Sequence, residues 1–535
     1  MERMAKLIYS KNKQTGTTYV YESEAWWDKE KQQSRSKRRL IGKLDPETGE
    51  IIPTRKYERK QVDSPASPVD TRVERLTPSQ DVGDVLRSFK RLHYGATYAL
   101  QEIAKKTHVY QGLKELFPHT YQAYLSLAYY LVLAPSNAMV NYTDWAAQHY
   151  TYHQSLSSQR ISDLFKLVDE DKKQQFFRKM FQHHGEKEFW AYDTTSISSY
   201  SEVLSQVQYG KNKENDALPQ LNLALLYGEK SRLPFCYRAV PGNISDVQTL
   251  PWLLNQLEDI EADSVGIVMD RGHYSKENVL ACLKRNQPFI LGTKLNLKYV
   301  SAAFDQIKAE REDFRKYHAG HGVYCHQVKE TQTFKASATS TYPVTLHFYY
   351  DPERAYQKQA SFTIKLAKWQ EELMNGKEIE AHRAAYKKYF TKKGTRVDIN
   401  QAAIQASREK MGWFVLLTNT ALSSVSLLNL YRNKDVVEKA FEDIKGRLSM
   451  RRLRVSSDVS LEGKLFVQYL ALILVSSIKK VMDDHDLYKD YTFDKLINKL
   501  NLIDCYINTE GERYQSEIVE KQRLIYRHLG ITVPE

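Results

Sequence analysis

Four polar residues in the stretch Leu430–Leu448 have a spacing that suits the binding of phosphate groups. Relative to Glu438, Tyr431 and Lys434 stand seven and four residues earlier, and Lys445 stands seven residues later. At about 100° per residue in an α-helix, all of them lie within about 40° of the line through Glu438. A carboxylate flanked by cations is typical of sites where a metal ion and phosphates meet a protein. A solvated helix face with paired charges has the same spacing, so the helix alone leaves both interpretations open.

Two aspartates stand at the ends of predicted strands earlier in the chain. The apolar strand EFWAYD closes with Asp193, and the buried strand SVGIVMD closes with Asp270. Because ligands bind at strand ends in open α/β sheets, the two carboxylates could share one site. Taken singly, each aspartate could equally cap a helix or occupy a turn.

A site shared by Asp193, Asp270 and Glu438 would have a chemistry set by its charge. Three carboxylates in a partly dry site repel one another unless they are protonated or bind a cation. Oxygen ligands favour Mg²⁺ or Mn²⁺ over zinc. Two such ions about 4 Å apart can activate a nucleophile and stabilise the leaving oxygen of a phosphodiester. The three residues are therefore candidate metal ligands and candidate catalytic residues.

The elements that would position these residues alternate between strands and helices. From residue 186 the predicted order is strand, strand, strand, helix, strand, helix and strand, ending with PFILGTK at 288–294. A long run at 300–410 follows, and the strand GWFVLLTN at 412–419 then leads into the helix that carries Glu438. Antiparallel strands followed by βαβ crossovers predict an α/β fold, a mixed sheet with helices on its faces.

These motifs resemble those of the DDE transposases of bacterial insertion sequences. The resemblance rests on YDTTSIS around Asp193, the loop PGNISD at 241–246, VMDRGHYS around Asp270, and Tyr431-x2-Lys434-x3-Glu438-x6-Lys445. More narrowly, the last motif resembles the group marked by a Tyr-x2-Arg-x3-Glu-x6-Lys signature. Lys434 stands where that signature has arginine, so the positive charge is kept and the planar bidentate fork is lost.

The resemblance covers roughly residues 185–480 and implies a fold and a set of ligands. The implied fold is an RNase H-like mixed-sheet core with a β-rich insertion at about 295–420. Asp193, Asp270 and Glu438 would hold two Mg²⁺ or Mn²⁺ ions. A metal-activated water would cut one strand at each end of the element, and the freed 3′-OH would attack a second phosphodiester. The implied partners are double-stranded DNA, as terminal repeats and as target, and a second copy of the chain in a homodimer on DNA.

Several cations are candidate phosphate contacts beside this site. The resemblance implies that Tyr431, Lys434 and Lys445 hold phosphates near the cut. Arg271, directly after the second aspartate, is a further candidate, with an ion pair as the alternative. The run KGRLSMRRLRV at 445–455, which includes Arg451 and Arg452, is expected to continue the helix and to follow a DNA backbone. A charged surface strip is the alternative for this run.

The regions outside the core differ in composition. Residues 1–60 read as short strands and predict a small β-rich module, and residues 61–90 are rich in Pro, Ser and Asp, which predicts a linker. Residues 91–185 have helical spacing and are expected to bind DNA, since SSQRISDLFK resembles the second helix of a helix-turn-helix. A plain helical bundle is the alternative there. The core is expected at 186–460 and a helical C-terminal region at 461–535.

Composition narrows the class of protein. The 535 residues carry a net charge of +13, which favours a polyanionic partner such as nucleic acid. Four cysteines in so long a chain argue against a disulfide scaffold. The N-terminus has no apolar signal segment, and the longest apolar runs are shorter than the ~20 residues of a membrane-spanning helix. We expect a bacterial cytoplasmic protein that acts on DNA, with no membrane partner.

Three functions fit these features. The first is a cut-and-paste DNA transposase. The second is a catalytically silent DNA-binding protein of the same fold, although the intact Asp193, Asp270 and Glu438 argue against it. The third is a metal-dependent endonuclease with this core and no strand-transfer step.

Overall fold

The computed structural model describes residues 6–11, 17–28, 33–45, 51–53, 89–185, 188–214, 216–262, 265–336, 338–394, 396–455 and 457–535. The chain divides into two compact units, Met1–Gln80 and Asp81–Glu535. Apart from residues 89 and 90, the predicted linker at 61–90 lies outside the described residues.

The first unit contains an antiparallel sheet. Its described strands are β1 (Lys6–Lys11), β2 (Thr18–Asp28), β3 (Gln33–Leu44) and β4 (Ile51–Pro53), paired in chain order. β1 and β2 contain Ile8, Tyr9, Tyr19, Val20 and Tyr21, and such β-branched and aromatic residues favour a pleated, half-buried surface. Val20 is fully buried in β2.

The second unit contains a large mixed sheet, two smaller sheets and many helices. Its described strands are β5 (Lys90–His93), β6 (Phe189–Ser198), β7 (Gln220–Gly228), β8 (Pro234–Pro241), β9 (Gly266–Met269), β10 (Phe289–Thr293), β11 (Tyr317–His318), β12 (Val323–Ala336), β13 (Ala338–Tyr350), β14 (Phe390–Lys393), β15 (Arg396–Ile399), β16 (Trp413–Thr418), β17 (Asp504–Ile507) and β18 (Arg513–Gln515).

The helices of this unit alternate with the strands of the large sheet along the chain, and they also form most of the first and last parts of the unit. Those described are α1 (Gly95–Lys106), α2 (Val109–Leu116), α3 (Tyr121–Leu133), α4 (Tyr142–Ala146), α5 (Ser158–Lys166), α6 (Glu170–His184), α7 (Asp246–Asp259), α8 (Lys276–Lys284), α9 (Lys298–Ile307), α10 (Pro352–Met374), α11 (Arg383–Tyr389), α12 (Gln401–Glu409), α13 (Ser424–Asn433), α14 (Asp435–Glu442), α15 (Asp458–Asp484), α16 (Phe493–Asn501) and α17 (Glu520–Leu529).

Among the described residues the large sheet has nine strands in the order β11-β12-β13-β16-β10-β9-β6-β7-β8. β9 pairs in parallel with both β6 and β10, and the other neighbours are antiparallel. The helices α7 and α8 connect β8 to β9 and β9 to β10. This is the mixed α/β sheet that the strand order predicts.

The strand that carries Asp193 is longer than predicted. β6 does not end at Asp193 but continues to Ser198, and its second half pairs only with β7 on the side of Gln220–Leu225. The parallel pairing with β9 does end beside Asp193, at Tyr192 and Met269. The extension of β6 was not predicted because the run TTSIS lacks the alternation of apolar and polar residues that is typical of a strand.

The insertion between β10 and β16 holds more helix than the expected β-rich segment. β12 and β13 form a long hairpin that joins the large sheet through β16. The helices α10, α11 and α12, with β14 and β15, follow this hairpin and enclose an apolar cluster of their own. The buried members of that cluster are Phe362, Leu366, Leu373, Tyr386, Tyr389, Phe390 and Ile404.

The predicted single helix at 430–448 is interrupted. α13 ends at Asn433, α14 begins at Asp435, and a π-helical turn covers Asp443–Arg447. Lys434 lies between the two helices in a helical conformation, with φ −56° and ψ −17°, so the side-chain line through Glu438 is kept.

The expectation that the helix continues through 445–455 is wrong. The helix ends at Arg447, and both Ser449 and Arg454 take positive φ, at 53° and 50°. Left-handed residues cannot extend a right-handed helix. The chain instead turns back, and Arg452 forms an isolated bridge with Ser198 at the end of β6.

The apolar helix α15 forms the centre of the core. It contacts α3, α5 and β8 and buries a continuous row of side chains from Leu465 to Val475. By length and composition this described helix could span a bilayer, but its most apolar window is 78% buried inside the protein. Burial of that kind marks the core helix of a folded domain.

We predict that the crossing of α15 and α5 tolerates no side chain at Gly463. A Cβ there would lie 2.3 Å from Phe165 Cα, so Gly463→Ala should lower the free energy of unfolding by about 1–3 kcal/mol. Gly446→Ala is the matched control, because no described atom lies within 4 Å of its Cβ position. The control should be neutral or stabilising by up to about 1 kcal/mol in chemical denaturation. Equal stability of the two variants would contradict the packing.

Candidate active site

Asp193 and Asp270 lie side by side at one end of the large sheet. Each directly follows a residue of the last parallel pair between β6 and β9, Tyr192 and Met269. β9 ends at Met269, and Asp270 caps the short 3₁₀ turn that follows. Parallel pairing therefore brings two carboxylates, 77 residues apart in sequence, to neighbouring positions.

Asp193 accepts one hydrogen bond and lies near two further nitrogen groups. The backbone N–H of Thr194 donates to its Oδ1 at 2.7 Å, Lys213 Nζ lies 3.6 Å from Oδ1, and His273 Nε2 lies 3.8 Å away. Burial raises the pKa of Asp193, but His273, Lys213 and the Thr194 N–H outweigh burial and lower the pKa below the ordinary aspartate value. The Asp193 carboxylate is therefore ionised at neutral pH.

Lys213 links Asp193 to a fourth carboxylate, Asp246. Its Nζ donates to both the carbonyl and the hydroxyl oxygen of Thr194 at 2.7 Å and lies 3.2 Å from Asp246 Oδ2. The Thr194 hydroxyl in turn donates to Asp246. Asp246 is the last residue of the PGNISD loop and opens α7, so that motif could have identified it. Lys213 lies in an irregular polar loop, and no sequence pattern marks it.

His273 completes this side of the site. Its side chain is 1% exposed, its Nδ1 contacts the Asp246 carbonyl oxygen at 3.1 Å, and its Nε2 faces Asp193 with no hydrogen-bond partner among the described residues. The residue belongs to VMDRGHYS, the motif around Asp270, but no pattern in that motif assigns it a role.

Asp270 is fixed from the opposite side by Tyr431. The Tyr431 hydroxyl donates to Asp270 Oδ1 at 2.8 Å. Burial, the charge of Asp270 and this hydrogen bond raise the pKa of Tyr431 far above its ordinary value, so the phenol remains a donor. Gly292 of β10 leaves room for the contact, because a Cβ there would lie 2.8 Å from the Tyr431 hydroxyl oxygen.

Lys434 pairs with Glu438, the third predicted catalytic carboxylate. Its Nζ donates to Glu438 Oε1 at 2.8 Å, and α14 packs against β6. Burial lowers the pKa of Lys434, but the hydrogen bond to Glu438 and the charges of Glu438, Asp270 and Asp193 raise the pKa above the ordinary lysine value. The ammonium group of Lys434 is thus paired with Glu438 and lies within the electrostatic influence of both aspartates.

Two other acidic residues close to Glu438 in sequence, Asp443 and Glu442, differ in their surroundings. Asp443 is buried and pairs with Lys479 of α15 at 2.7 Å, so it points into the core. Glu442 is exposed on the helix surface.

The other predicted phosphate contacts are spread around this site. Lys445 pairs with Glu214, and Arg452 pairs with Asp216 at 3.3 Å, so both cations face the loop between β6 and β7. Arg451 is exposed. Arg271 lines a cavity beside Asp270.

The donor set fits divalent cations that prefer oxygen. No group of three or more His, Cys, Asp or Glu side chains in the described parts of the chain is arranged as a ready metal site. Asp193 and Asp270 nevertheless present neighbouring carboxylate oxygens, and the Glu438 side chain is 52% exposed. Glu438 itself is paired with Lys434 in this structure. Mg²⁺ and Mn²⁺ take carboxylate oxygens as ligands.

We predict that Lys213 stabilises the fold through charge. Lys213→Met should lower the free energy of unfolding by about 1 kcal/mol at neutral pH, because Asp193 and Asp246 lose a shared cation. A carboxylate with a lowered pKa stabilises the fold above its unfolded-state pKa of about 4, and this contribution is lost as the pH falls through the folded-state value. The difference in free energy of unfolding between Lys213→Met and the unaltered chain should therefore shrink below about pH 4.

Lys211→Met is the matched control for this measurement, because Lys211 is exposed in the same loop. Thermal and chemical denaturation across pH would check both variants. A deficit of Lys213→Met that stays constant down to acidic pH would show a packing role of the lysine stem instead of a charge effect.

Comparisons with known proteins identify the family of the chain. The model of a family described as "Transposase DDE domain" matches residues 181–474, which is more than half of the chain. No curated protein sequence gives a significant match. Among solved structures, a piggyBac transposase in a synaptic complex with hairpin DNA shows a distant likeness, with a TM-score of 0.33 and 10% identity over 76% of this chain and 69% of that chain. On the extent of the family match, the chain belongs to the transposase DDE domain family and is a DDE-type transposase.

Proposed function

We propose that this chain is the transposase of a bacterial insertion sequence, which cuts the ends of its element and joins them to target DNA. The observation that supports the proposal is that Asp193 and Asp270 stand side by side at the end of the parallel β6 and β9 strands, while Lys434, the ion-pair partner of Glu438, carries a charge that interacts with both. The parallel centre of the mixed sheet, flanked by α7 and α8, supports an RNase H-like core. The spacing from Tyr431 to Lys445 supports the signature group in which Lys434 replaces arginine.

The metal site that we propose uses the three carboxylates. Asp193, Asp270 and Glu438 would hold two Mg²⁺ or Mn²⁺ ions, which when bound activate a water and stabilise the leaving oxygen of the phosphodiester. Tyr431 orients Asp270 by donating to one of its oxygens. Lys213 and His273 keep Asp193 ionised and oriented, as ligation by a carboxylate requires.

The cations around the site would bind the phosphates of the DNA. Lys434 would exchange Glu438 for a phosphate when the Glu438 carboxylate turns away from it. Lys445 and Arg452 would exchange Glu214 and Asp216 for phosphates. The remaining contacts in the proposal are Tyr431, Arg271 and Arg451.

The wider assembly is part of the same proposal. We assign residues 1–60 to a small β-rich module, 61–90 to a linker, 91–185 to a helical DNA-binding region, 186–460 to the catalytic core and 461–535 to a helical C-terminal region. The exposed Arg160 on α5, whose N-cap Ser157 accepts from its backbone N–H, supports a groove contact in the helical region. The partners are the terminal repeats, target DNA and a second copy of the chain, in the bacterial cytoplasm.

We predict metal-dependent nicking of duplex DNA in the presence of Mn²⁺. Asp193→Asn and Glu438→Gln should each lower the nicking rate by about 10³-fold or more, because each removes a ligand charge while keeping the side-chain shape. Glu442→Gln is the matched control, since Glu442 is exposed one turn further along the same helix. Conversion of supercoiled plasmid, followed on gels, measures the rate.

The control variant should nick like the unaltered chain. Nicking that survives Asp193→Asn would refute the site, and equal losses in Glu438→Gln and Glu442→Gln would refute the assignment of Glu438. Joining of a cut end to plasmid DNA in the same reaction separates transposition from simple hydrolysis.

We further predict that DNA binding weakens steeply with salt. A protein that neutralises phosphates releases their counterions, so each contact contributes about −0.9 to the slope of log affinity against log salt concentration. With a net charge of +13 and several candidate cations, affinity for a labelled duplex should fall at least about 10³-fold between about 50 and 200 mM salt. Fluorescence anisotropy measures the slope, and affinity that is independent of salt would contradict the basic surface.

A further inference from the structure

A cavity of about 670 Å³ opens directly beside Asp270. This volume is in the range of about 300–1,000 Å³ that is typical of ligand sites. One wall is formed by the residues that follow β9 and β10, including Arg271 and Lys294, and another wall by the first two turns of α10. Strand β16 and Tyr431 close the side towards the catalytic carboxylates.

The cavity has a strong excess of positive charge. The cations that line it are Arg271, Lys294, Arg354, Lys358, Lys410 and Arg432, and the acids are Asp270 and Asp351 alone. None of these six cations forms an ion pair with a carboxylate among the described residues, and Arg432 contacts only His321, through Nδ1 at 3.1 Å. Asp351 already accepts the backbone N–H of Arg354 as the N-cap of α10. The cations therefore lack protein anions to compensate them.

The cations of the insertion lie close to those of the core. Partial burial and the charges of Arg354 and Arg271 lower the pKa of Lys358, while Asp351 opposes them. Arg271 follows the second catalytic aspartate, whereas Arg354 and Lys358 stand one turn apart on α10. Cations that come together from two parts of the chain repel one another, and this repulsion is unfavourable unless an anion binds between them.

The backbone holds α10 firmly against the sheet. The N–H of Asp351 donates to the carbonyl of Gly412 at 3.1 Å, directly before β16. Gly412 has a φ of 86°, and a Cβ there would lie 2.5 Å from Ala355 Cβ. Only glycine permits this approach, which sets Arg354 and Lys358 at the edge of the cavity.

We propose that this cavity binds the phosphates of the DNA strand that runs past the scissile phosphodiester, and that the insertion helix α10 supplies part of the clamp through Arg354 and Lys358. This inference rests on the proposed function, because it takes Asp270 as the cutting site. A metal ion is excluded as occupant by the surplus of cations, and the apolar floor from Trp413 to Leu416 suits the sugar faces of a strand. The insertion between β10 and β16 thus contributes residues to the DNA-binding site.

The test compares two double variants with the same change in charge. Arg354→Ala/Lys358→Ala removes two cavity cations, and Lys387→Ala/Lys388→Ala removes two lysines of α11 that do not line the cavity. Both are made in the full chain with Asp193→Asn, so that DNA is bound without being cut. Binding of a labelled duplex of arbitrary sequence is followed by anisotropy across salt concentrations.

The cavity double variant should reduce the magnitude of the salt slope by about 2, because two phosphate contacts are lost, while the α11 variant should leave the slope unchanged. Arg354→Lys/Lys358→Arg should restore the slope, since it keeps both charges. Thermal denaturation confirms that each variant is folded. Equal slopes in the cavity and α11 variants, or a loss that the charge-conserving variant does not restore, would overturn the proposal.

Failure of this inference is distinguishable from failure of the proposed function. In the chain with Asp193 intact, the cavity variant should slow Mn²⁺-dependent plasmid nicking by about tenfold at low DNA concentration, with recovery at saturating DNA. Absence of nicking by the unaltered chain would refute the proposed function and leave the slope comparison standing. Normal nicking by the cavity variant at every DNA concentration would refute the clamp alone.

Discussion

Repulsion between carboxylates is the constraint on which the catalytic end of the sheet depends. Parallel pairing of β6 and β9 forces Asp193 and Asp270 to neighbouring positions, and α14 adds Glu438. The fold compensates these charges with two lysines. Lys213 is shared by Asp193 and Asp246, and Lys434 pairs with Glu438. Lys213 lowers the pKa of Asp193 and so helps to keep it ionised, which is the state in which a carboxylate binds a metal.

The order of strands explains why one end of the sheet collects so many functional groups. The central strands β6 and β9 deliver the aspartates, and β10 beside them supplies Gly292, which makes room for Tyr431. β16 is inserted between β10 and β13, so the chain that leaves it as α13 and α14 returns over the same edge. β13 leads directly into α10, which ends up next to β16 through the Asp351 and Gly412 contact. The long insertion is therefore tied to the site at both of its ends.

Much of this arrangement could be predicted from the sequence, because the signals involved are local. The apolar strand residues that lead up to Asp193 and Asp270, and the helical spacing around Glu438, depend on short-range periodicity alone. The transposase DDE domain match confirms the broader part of that resemblance, the DDE transposase family. The turn after Arg447 was not anticipated, because it depends on left-handed residues at Ser449 and Arg454. Lys213 was missed because its role arises from tertiary contacts of a loop without periodicity.

The cations of this protein fall into two groups with different consequences for DNA binding. Lys434, Lys445 and Arg452 are already paired with carboxylates, so a phosphate that binds them replaces one anion by another. Such an exchange adds little net affinity, but it positions the strand where the acids were. The cavity cations, Arg354 and Lys358 among them, have no protein anion to give up, so a phosphate there gains the full attraction. Affinity should therefore come mainly from the insertion side of the site, and alignment of the scissile bond from the paired cations beside the carboxylates.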